Sequence, residues 1–398
     1  IRNFLHAADC LSTVGVMRAL GVDVEFLNEH ELIVTGKGLH GLTEPTTVLD
    51  AGNSGTTLRL MMGLLAPQPF LSTFCGDASL TRRPMGRVLR PLSQMGAQIY
   101  GRSGNNNLPL TIVPTAEKLR GIHYESPVAS AQVKSAILLA GLYADAPTTV
   151  SEPYVSRDHT EQMLTGFGVR LARTGTSVTV FPVDEGSYRA PDEITVPGDI
   201  SSAAYFLVAG TIIEGSHLTL KNVGVNPTRT GILDVLTEMG AHIQLTNERE
   251  SGGERVADII VTSASLRGVS FGAEIMPRLI DEIPVIAVAA LFAEGDTVIT
   301  GAGELRVKET DRLHAIAEEF QKLAPGSVEE QEDGLIIHGK TAIRQAQVHS
   351  WGDHRMAMSL AVLGAAAEGV RIEEPESVNI SYPTFFSEME RLSKGGTL

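Results

Sequence analysis

Two segments, Leu92–Ile99 (LSQMGAQI) and Leu236–Ile243 (LTEMGAHI), decide the fold, because they are nearly the same sentence written twice in one chain. Looser copies stand at Leu164–Leu171 (LTGFGVRL) and Met17–Val24 (MRALGVDV). Each copy reads as the end of an amphipathic helix, a glycine that accepts the left-handed C′ conformation, and a strand with alternating polarity. Self-similarity at a long period signals a repeated supersecondary unit.

A second repeated element lies between these copies. Apolar, alanine- and glycine-rich helices are predicted to begin near Asn53 (GNSGTTLRLMMGLLA), Ser130 (SAQVKSAILLAGLYA), Asp199 (GDISSAAYFLVAGTI), Asp281 (DEIPVIAVAALFAEG) and Asp353 (DHRMAMSLAVLGAAA). The unit is therefore an apolar helix, a strand, a second amphipathic helix and one or two strands. Ile1–Leu5 (IRNFL) matches Leu218–Val223 (LTLKNV), a strand that follows the first helix of its unit. On this reading the opening half of the first unit is absent, and five full units and one half unit are expected. Pro197 and Gly198 in Thr195–Asp199 (TVPGD) break the pattern. The fold class is α/β, with two similar domains, 1–195 and 196–398, each of three units, and a cleft between them. The first domain should show an unpaired sheet edge and an exposed apolar patch.

Composition narrows the function. Of 398 residues 43% are hydrophobic, 20% are charged and the formal net charge is −15. Such a balance suits a globular protein and disfavours nucleic acid or an anionic membrane as partner. No apolar run approaches the ~20 residues of a membrane span. No basic segment followed by an apolar stretch opens the chain, so no secretory leader is expected and the location is read as cytoplasmic. The two cysteines, Cys10 and Cys75, have no metal-ligand spacing and are expected as reduced thiols.

Candidate chemistry gathers at the starts of the repeat helices. Gly52–Thr57 (GNSGTT) precedes an apolar helix and resembles an anion site made of backbone N–H groups, with Arg59 one turn on. Asp77–Arg87 (DASLTRRPMGR) carries Arg82, Arg83 and Arg87 around Pro84. A planar guanidinium suits carboxylate and phosphate. Ser130, Gln132 and Lys134 place hydroxyl, amide and ammonium groups at a helix start, where Ser130 could equally be a plain N-cap. Arg157 adds a cation after Ser151 and Tyr154. Asp281 and Glu282 precede Pro284, a pattern that also suits capping. Lys308, Glu309 and Arg312 cluster in Leu305–Leu313 (LRVKETDRL), and Asp353, His354 and Arg355 follow the only tryptophan, Trp351. His354 alone reads as a structural hydrogen-bonder. If the helix starts share one end, an electropositive site for small anions results.

The segments LDAGNSGTTLR, GDASLTRRPMGR, SAQVKSAILLAGL, VPGDISSAAYF, LIDEIPVIAVAA, RVKETDR and DHRMAM, spanning Leu49 to Met358, resemble the enolpyruvyl transferases. The likeness is to the branch that acts on shikimate 3-phosphate, in its bacterial class II form (AQVKSA, SRDHTE). The branch acting on UDP-N-acetylglucosamine has a reactive cysteine where this chain has Asp77–Arg83, and none lies there. The resemblance implies an inside-out α/β barrel in each domain. It also implies transfer of the enolpyruvyl group of phosphoenolpyruvate to the 5-hydroxyl of shikimate 3-phosphate by a monomer, without metal or organic cofactor. Asp281 and Glu309 would be catalytic. Gly55, Arg83, Gln132, Arg312 and Arg355 would bind phosphoenolpyruvate. Ser130, Gln132, Arg157, Asp281 and Lys308 would bind shikimate 3-phosphate, with Ser151 a further candidate. Gly55 would leave room for glyphosate. The family's opening motif, with its Lys-Ser pair and Arg, is read as absent because the chain begins after it, and its second-domain counterpart, Val196–Ser201 (VPGDIS), carries no lysine and does not substitute. Ile380 stands where some members have a substrate-binding lysine, and Leu60 where many have proline. An enolpyruvyl transferase with another acceptor and an inactive, ligand-binding remnant are the other readings; an acceptor screen and a turnover assay separate them.

Overall fold

In the computed structural model, which describes residues 1–251, 253–367 and 369–394, the chain forms two compact units. One is built on Ile1–Val196, the other on Pro197–Glu250 and Glu254–Leu398. The repeated Met-Gly-Ala segments explain the regularity of both. Helix Gly86–Met95 stops at Gly96, whose φ of +104° closes the turn. The amide of Ala97 then donates to Leu92 O at 3.0 Å. The same closure recurs at Gly240 (φ +101°), where the amide of Ala241 donates to Leu236 O at 2.9 Å. Only glycine adopts this conformation without strain, so the repeat carries its own stop signal.

Three units are complete and share one strand order. In the first unit of structure the sheet runs Leu49–Asp50, Ser72–Cys75, Asn107–Val113, Gln98–Gly101. The first pair is parallel and the others antiparallel. The connections are helices Gly55–Leu65 and Gly86–Met95, which makes the unit βαβαββ. His123–Glu125 to Val180 and Ser270–Phe271 to His338 repeat this order. A fourth sheet, His217–Gly224, Glu254–Thr262, His242–Ser251, gains its parallel edge from a bridge between Gly198 and Val223. The last unit, expected to be full, departs from the pattern. Ala346–His349 and Val370–Glu373 pair in parallel around helix His354–Ala366, and helix Phe385–Ser393 follows with no hairpin among the described residues.

Near the chain start, Asp23–Asn28 and Glu31–Thr35 form a two-stranded sheet, met by Arg2 through an isolated bridge to Glu31. Leu5, Leu27, Ile33 and Val34 are exposed there.

Burial follows the sequence pattern. Ile283–Leu291 is buried at every position, so this helix is apolar all round and must be enclosed by neighbours. In the second unit of structure it packs with Ile200–Ile212 and His354–Ala366, and the sheets lie outside this trio. The first has the corresponding pair Gly55–Leu65 and Ala131–Gly141. Their approach is close because Gly63 faces the Ala136 carbonyl; a Cβ at Gly63 would lie 2.1 Å from that oxygen. Packing the first helices of each repeat together brings their N-termini to one end, which is where the polar residues lie.

Candidate active site

The buried helices of the second unit of structure open onto a compact set of charges. Helix Ile200–Ile212 is capped by Asp199, which accepts from Ser202 N at 3.1 Å. Helix His354–Ala366 is capped by Asp353, which accepts from Arg355 N at 2.8 Å. The third helix does not follow the capping reading, since Glu282 at its N-cap makes no side-chain cap bond. The helix start of Arg312–Leu323, capped by Asp311, supplies the remaining groups.

Asp281 is the meeting point. Its Oδ1 lies 3.4 Å from Lys308 Nζ and 3.4 Å from Arg312 Nη1. Its carbonyl accepts from Arg355 Nη1 at 3.3 Å. Glu309 Oε2 accepts from Arg312 Nη2 at 2.6 Å. Asp281, Lys308, Glu309, Arg312 and Arg355 are thus brought together as sequence reasoning expected.

The electrostatics differ from expectation. Arg312 is not a bare cation: its side chain is 1% exposed, and Asp353 accepts from Nε at 2.8 Å. Every nitrogen of its fork faces a carboxylate. Burial works against its charge, but Asp353 and then Glu309 hold its pKa above the ordinary guanidinium value. Arg355 is likewise desolvated, yet Asp281 raises its pKa well above normal. The cations Arg229, Lys308, Arg312 and Arg355 sit among Asp199, Asp281, Glu282, Glu309 and Asp353. The expected electropositive surface is, in this unit, a lattice of four cations among five carboxylates. Pairing lowers the cost of burying guanidinium groups, which alone is prohibitive.

His354 is buried, and burial together with the Arg355 charge pushes its pKa down to about 4. Its Nδ1 is buried without a hydrogen-bond partner, so the expected hydrogen-bonding role is not seen at that atom.

In the first unit of structure the GNSGTT loop caps helix Gly55–Leu65 through Ser54, which accepts from Thr57 N at 3.2 Å. Gly55 faces two guanidinium groups: a Cβ there would lie 3.1 Å from Arg59 Nη1 and 3.5 Å from Arg83 Nη1. Arg83 donates to Asn53 Oδ1 at 2.8 Å and to Ser79 Oγ at 3.3 Å. Gln132 accepts from Arg59 Nη1 and donates to Thr56 Oγ1 at 2.8 Å. Gly55, Arg83 and Gln132 therefore share one neighbourhood, and Arg59 belongs with them. Arg59 was visible one turn after the loop but carried no motif of its own.

Other candidates are placed differently. Lys134, read as an anion-binding ammonium, is turned inward, with Glu161 Oε1 at 2.9 Å and Glu152 Oε2 at 3.1 Å. Two buried carboxylates outcompete a distant ligand for one buried ammonium. Ser130 is not the expected cap: its side chain makes no cap bond, and its amide donates to Glu152 Oε1 at 2.8 Å. Ser151 is buried, bonded to Ser177 Oγ at 2.8 Å and His123 Nε2 at 2.9 Å. Arg157 is half-buried between the buried residues Ser156 and Asp158.

Among the described residues no group of three or more His, Cys, Asp or Glu side chains is placed to hold a metal, and no helix is long and apolar enough to cross a membrane.

Repeated βαβαββ sheets around buried helices, with one aspartate shared by a lysine and an arginine at the helix starts, define the class of the enolpyruvyl transferases. The profile of EPSP synthase (3-phosphoshikimate 1-carboxyvinyltransferase) matches residues 1–389, and the chain belongs to that family. It is 53% identical over 395 residues to a 3-phosphoshikimate 1-carboxyvinyltransferase of Bacillus cereus, covering 99% of this chain and 90% of the relative. A Thermoanaerobacter relative of the same name is 53% identical over 393 residues, covering 98% and 91%. Among solved structures, EPSP synthase from Acinetobacter baumannii superposes with a TM-score of 0.85 at 42% identity, covering 98% of this chain and 88% of that one. The enolpyruvyl transferase NikO from Streptomyces tendae shares the fold, with a TM-score of 0.73 at 17% identity over 98% of this chain and 88% of that one.

Proposed function

We propose that the chain transfers the enolpyruvyl group of phosphoenolpyruvate to the 5-hydroxyl of shikimate 3-phosphate and releases phosphate, in the shikimate pathway. Family membership supports the reaction, and one observation supports the site: Lys308 and Arg312 meet on the same oxygen of Asp281, 3.4 Å from each. The two units are the two domains of the enzyme, 1–195 and 196–398. It works as a cytoplasmic monomer on small molecules, without metal or organic cofactor.

Asp281 binds the shikimate ring and takes the 5-hydroxyl proton, with Lys308 and Arg312 both on one of its oxygens. Glu309 handles the proton at the phosphoenolpyruvate methylene. Protonation there makes C2 electrophilic and the 5-hydroxyl oxygen adds; the tetrahedral intermediate then loses phosphate from C2 and a methyl proton from C3, which Glu309 takes back, restoring the double bond. Arg312, Arg355, Arg83, the Gly55 backbone and Gln132 hold phosphoenolpyruvate. Ser130, Gln132, Arg157 and Lys308 hold shikimate 3-phosphate. Oriented cations supply the main stabilisation of the developing charge, and fixed geometry supplies the encounter. When an anion takes Arg312, the contact between Glu309 and Arg312 Nη2 opens. That release removes the Arg312 contact from the Glu309 carboxyl, which then takes part in proton transfer.

The test is phosphate release with both substrates, together with isolation of the enolpyruvyl ether. Asp281→Asn lowers kcat by ~10²-fold or more if Asp281 is the base. Full turnover in that variant removes Asp281 from the chemistry.

A further inference from the structure

Glu282 is a buried carboxylate that the reaction above does not use. It is 1% exposed, at the start of the wholly apolar helix Ile283–Phe292. A carboxylate in that place ordinarily accepts amides of the first turn, and this one makes no such bond. Its Oε1 accepts from the Ser201 hydroxyl and lies 3.7 Å from Arg355 Nη1. Its Oε2 is buried without a hydrogen-bond partner. Ser201 is itself fixed: Arg229 Nη2 donates to Ser201 Oγ at 2.5 Å and to Asp199 Oδ1 at 3.0 Å. A relay therefore runs Asp199, Arg229, Ser201, Glu282, Arg355 across the N-termini of the three packed helices. Asp199 and Ser201 lie in VPGDIS, a segment with no lysine and no role in the reaction so far.

A buried ion pair contributes little net stability, and an apolar residue of similar size serves packing as well or better. A charge kept at Glu282 with one oxygen unmet calls for another reason. The reason lies in Arg355, whose planar fork binds an anion well only when its plane is set. Asp281 O at 3.3 Å and Glu282 Oε1 at 3.7 Å both face Nη1, so one end of the fork is pinned from two sides.

We infer that Glu282, held by the Ser201 hydroxyl, is a positioning residue: it pins Nη1 of Arg355 and thereby sets the affinity for phosphoenolpyruvate without touching it. The inference rests on the assignment of Arg355 to phosphoenolpyruvate made above.

A double-mutant cycle on the whole protein tests it. Glu282→Gln keeps an acceptor for Ser201 and the side-chain volume, and removes only the charge. It raises KM for phosphoenolpyruvate ~tenfold, the change expected for one charge-assisted contact. KM for shikimate 3-phosphate and kcat stay near wild type, while the melting temperature falls because one charge of a buried pair is gone. Ser201→Ala moves the same KM in the same direction by a smaller factor. In an Arg355→Lys background, where no planar fork remains to be aimed, Glu282→Gln adds nothing. An equal rise in both substrates' KM, or the same increment with and without Arg355, overturns the inference and leaves the site assignment standing. An Arg355→Lys variant with unchanged KM for phosphoenolpyruvate overturns the assignment itself, and the inference with it.

Discussion

Arg312 and Asp353 form a fully desolvated, two-point pair: Nε to Oδ2 at 2.8 Å and Nη2 to Oδ1 at 3.3 Å, with side chains 1% and 0% exposed. Asp353 also caps helix His354–Ala366. One carboxylate thus sets a helix start and a guanidinium at once. Asp353→Ala removes both functions and leaves a buried charge uncompensated, for which about 3–5 kcal/mol of stability is lost. Asp353→Asn keeps a capping acceptor, so its loss is smaller by about 1 kcal/mol. Urea unfolding midpoints of the two variants measure the difference, and equal losses would show that capping contributes nothing.

Gly63 marks where two buried helices touch. A methyl group at Gly63 must move the Ala136 carbonyl, 2.1 Å from the ideal Cβ. Gly63→Ala is expected to cost about 1–3 kcal/mol by overpacking. The displacement also separates Thr56 from Gln132, so KM for phosphoenolpyruvate rises alongside the drop in melting temperature. A variant with wild-type stability rules out the close approach.

Gly55→Ala acts by occupation rather than by strain. Its Cβ sits 3.1 Å from Arg59 Nη1 and 3.5 Å from Arg83 Nη1, pushing on Arg59 and on Arg83, the arginine proposed above to hold phosphoenolpyruvate. KM for phosphoenolpyruvate rises roughly tenfold, about 1.4 kcal/mol. Inhibition by glyphosate weakens in the same variant, and KM for shikimate 3-phosphate does not move. Initial-rate kinetics with each substrate varied in turn check this, and unchanged glyphosate inhibition refutes it.

His354 makes stability depend on mild acid. Its pKa falls to about 4 in the folded protein from an unfolded value of 6.5, through burial and then the Arg355 charge. Above pH 6.5 the ring is neutral in both states and contributes no difference. As pH falls from 6.5 toward 4 the unfolded chain binds a proton that the folded chain refuses, so stability declines. The full difference is about 3 kcal/mol at 1.36 kcal/mol per pH unit. His354→Gln removes that decline. The comparison is the urea midpoint at pH 7 and pH 5 for both proteins, and identical slopes would exclude His354 as the source.

Much of this was legible in the sequence, for reasons that can be named. Gly96, Gly168, Gly240 and Gly21 announce themselves because a left-handed turn tolerates few other residues. The unbroken apolar run at Ile283–Leu291 admits only a buried helix. Placing Asp281 and Arg355 in one cluster followed from each standing at a repeat start, and Lys308 and Arg312 joined them through the resemblance of RVKETDR to the enolpyruvyl transferases. What sequence could not carry was pairing. LRVKETDR and GDHR look like free cations, and only the fold shows that Asp353 and Glu309 occupy Arg312. AQVKSA likewise offers Lys134 to a ligand, while its true partners lie 18 and 27 positions away at Glu152 and Glu161. Side-chain direction over one helical turn decides such cases, and residue type does not encode it.

Lys134 has a consequence for how this chain can change over generations. Its ammonium joins helix Ala131–Gly141 to the loop at Glu152 and to helix His159–Gly166, with all three side chains almost wholly dry. Exchanging the lysine alone strands two acids face to face, whereas replacing all three by apolar residues can be nearly neutral. The trio is therefore expected to be inherited or lost as a block: related sequences should show either all three ionic residues or none, with mixed combinations rare.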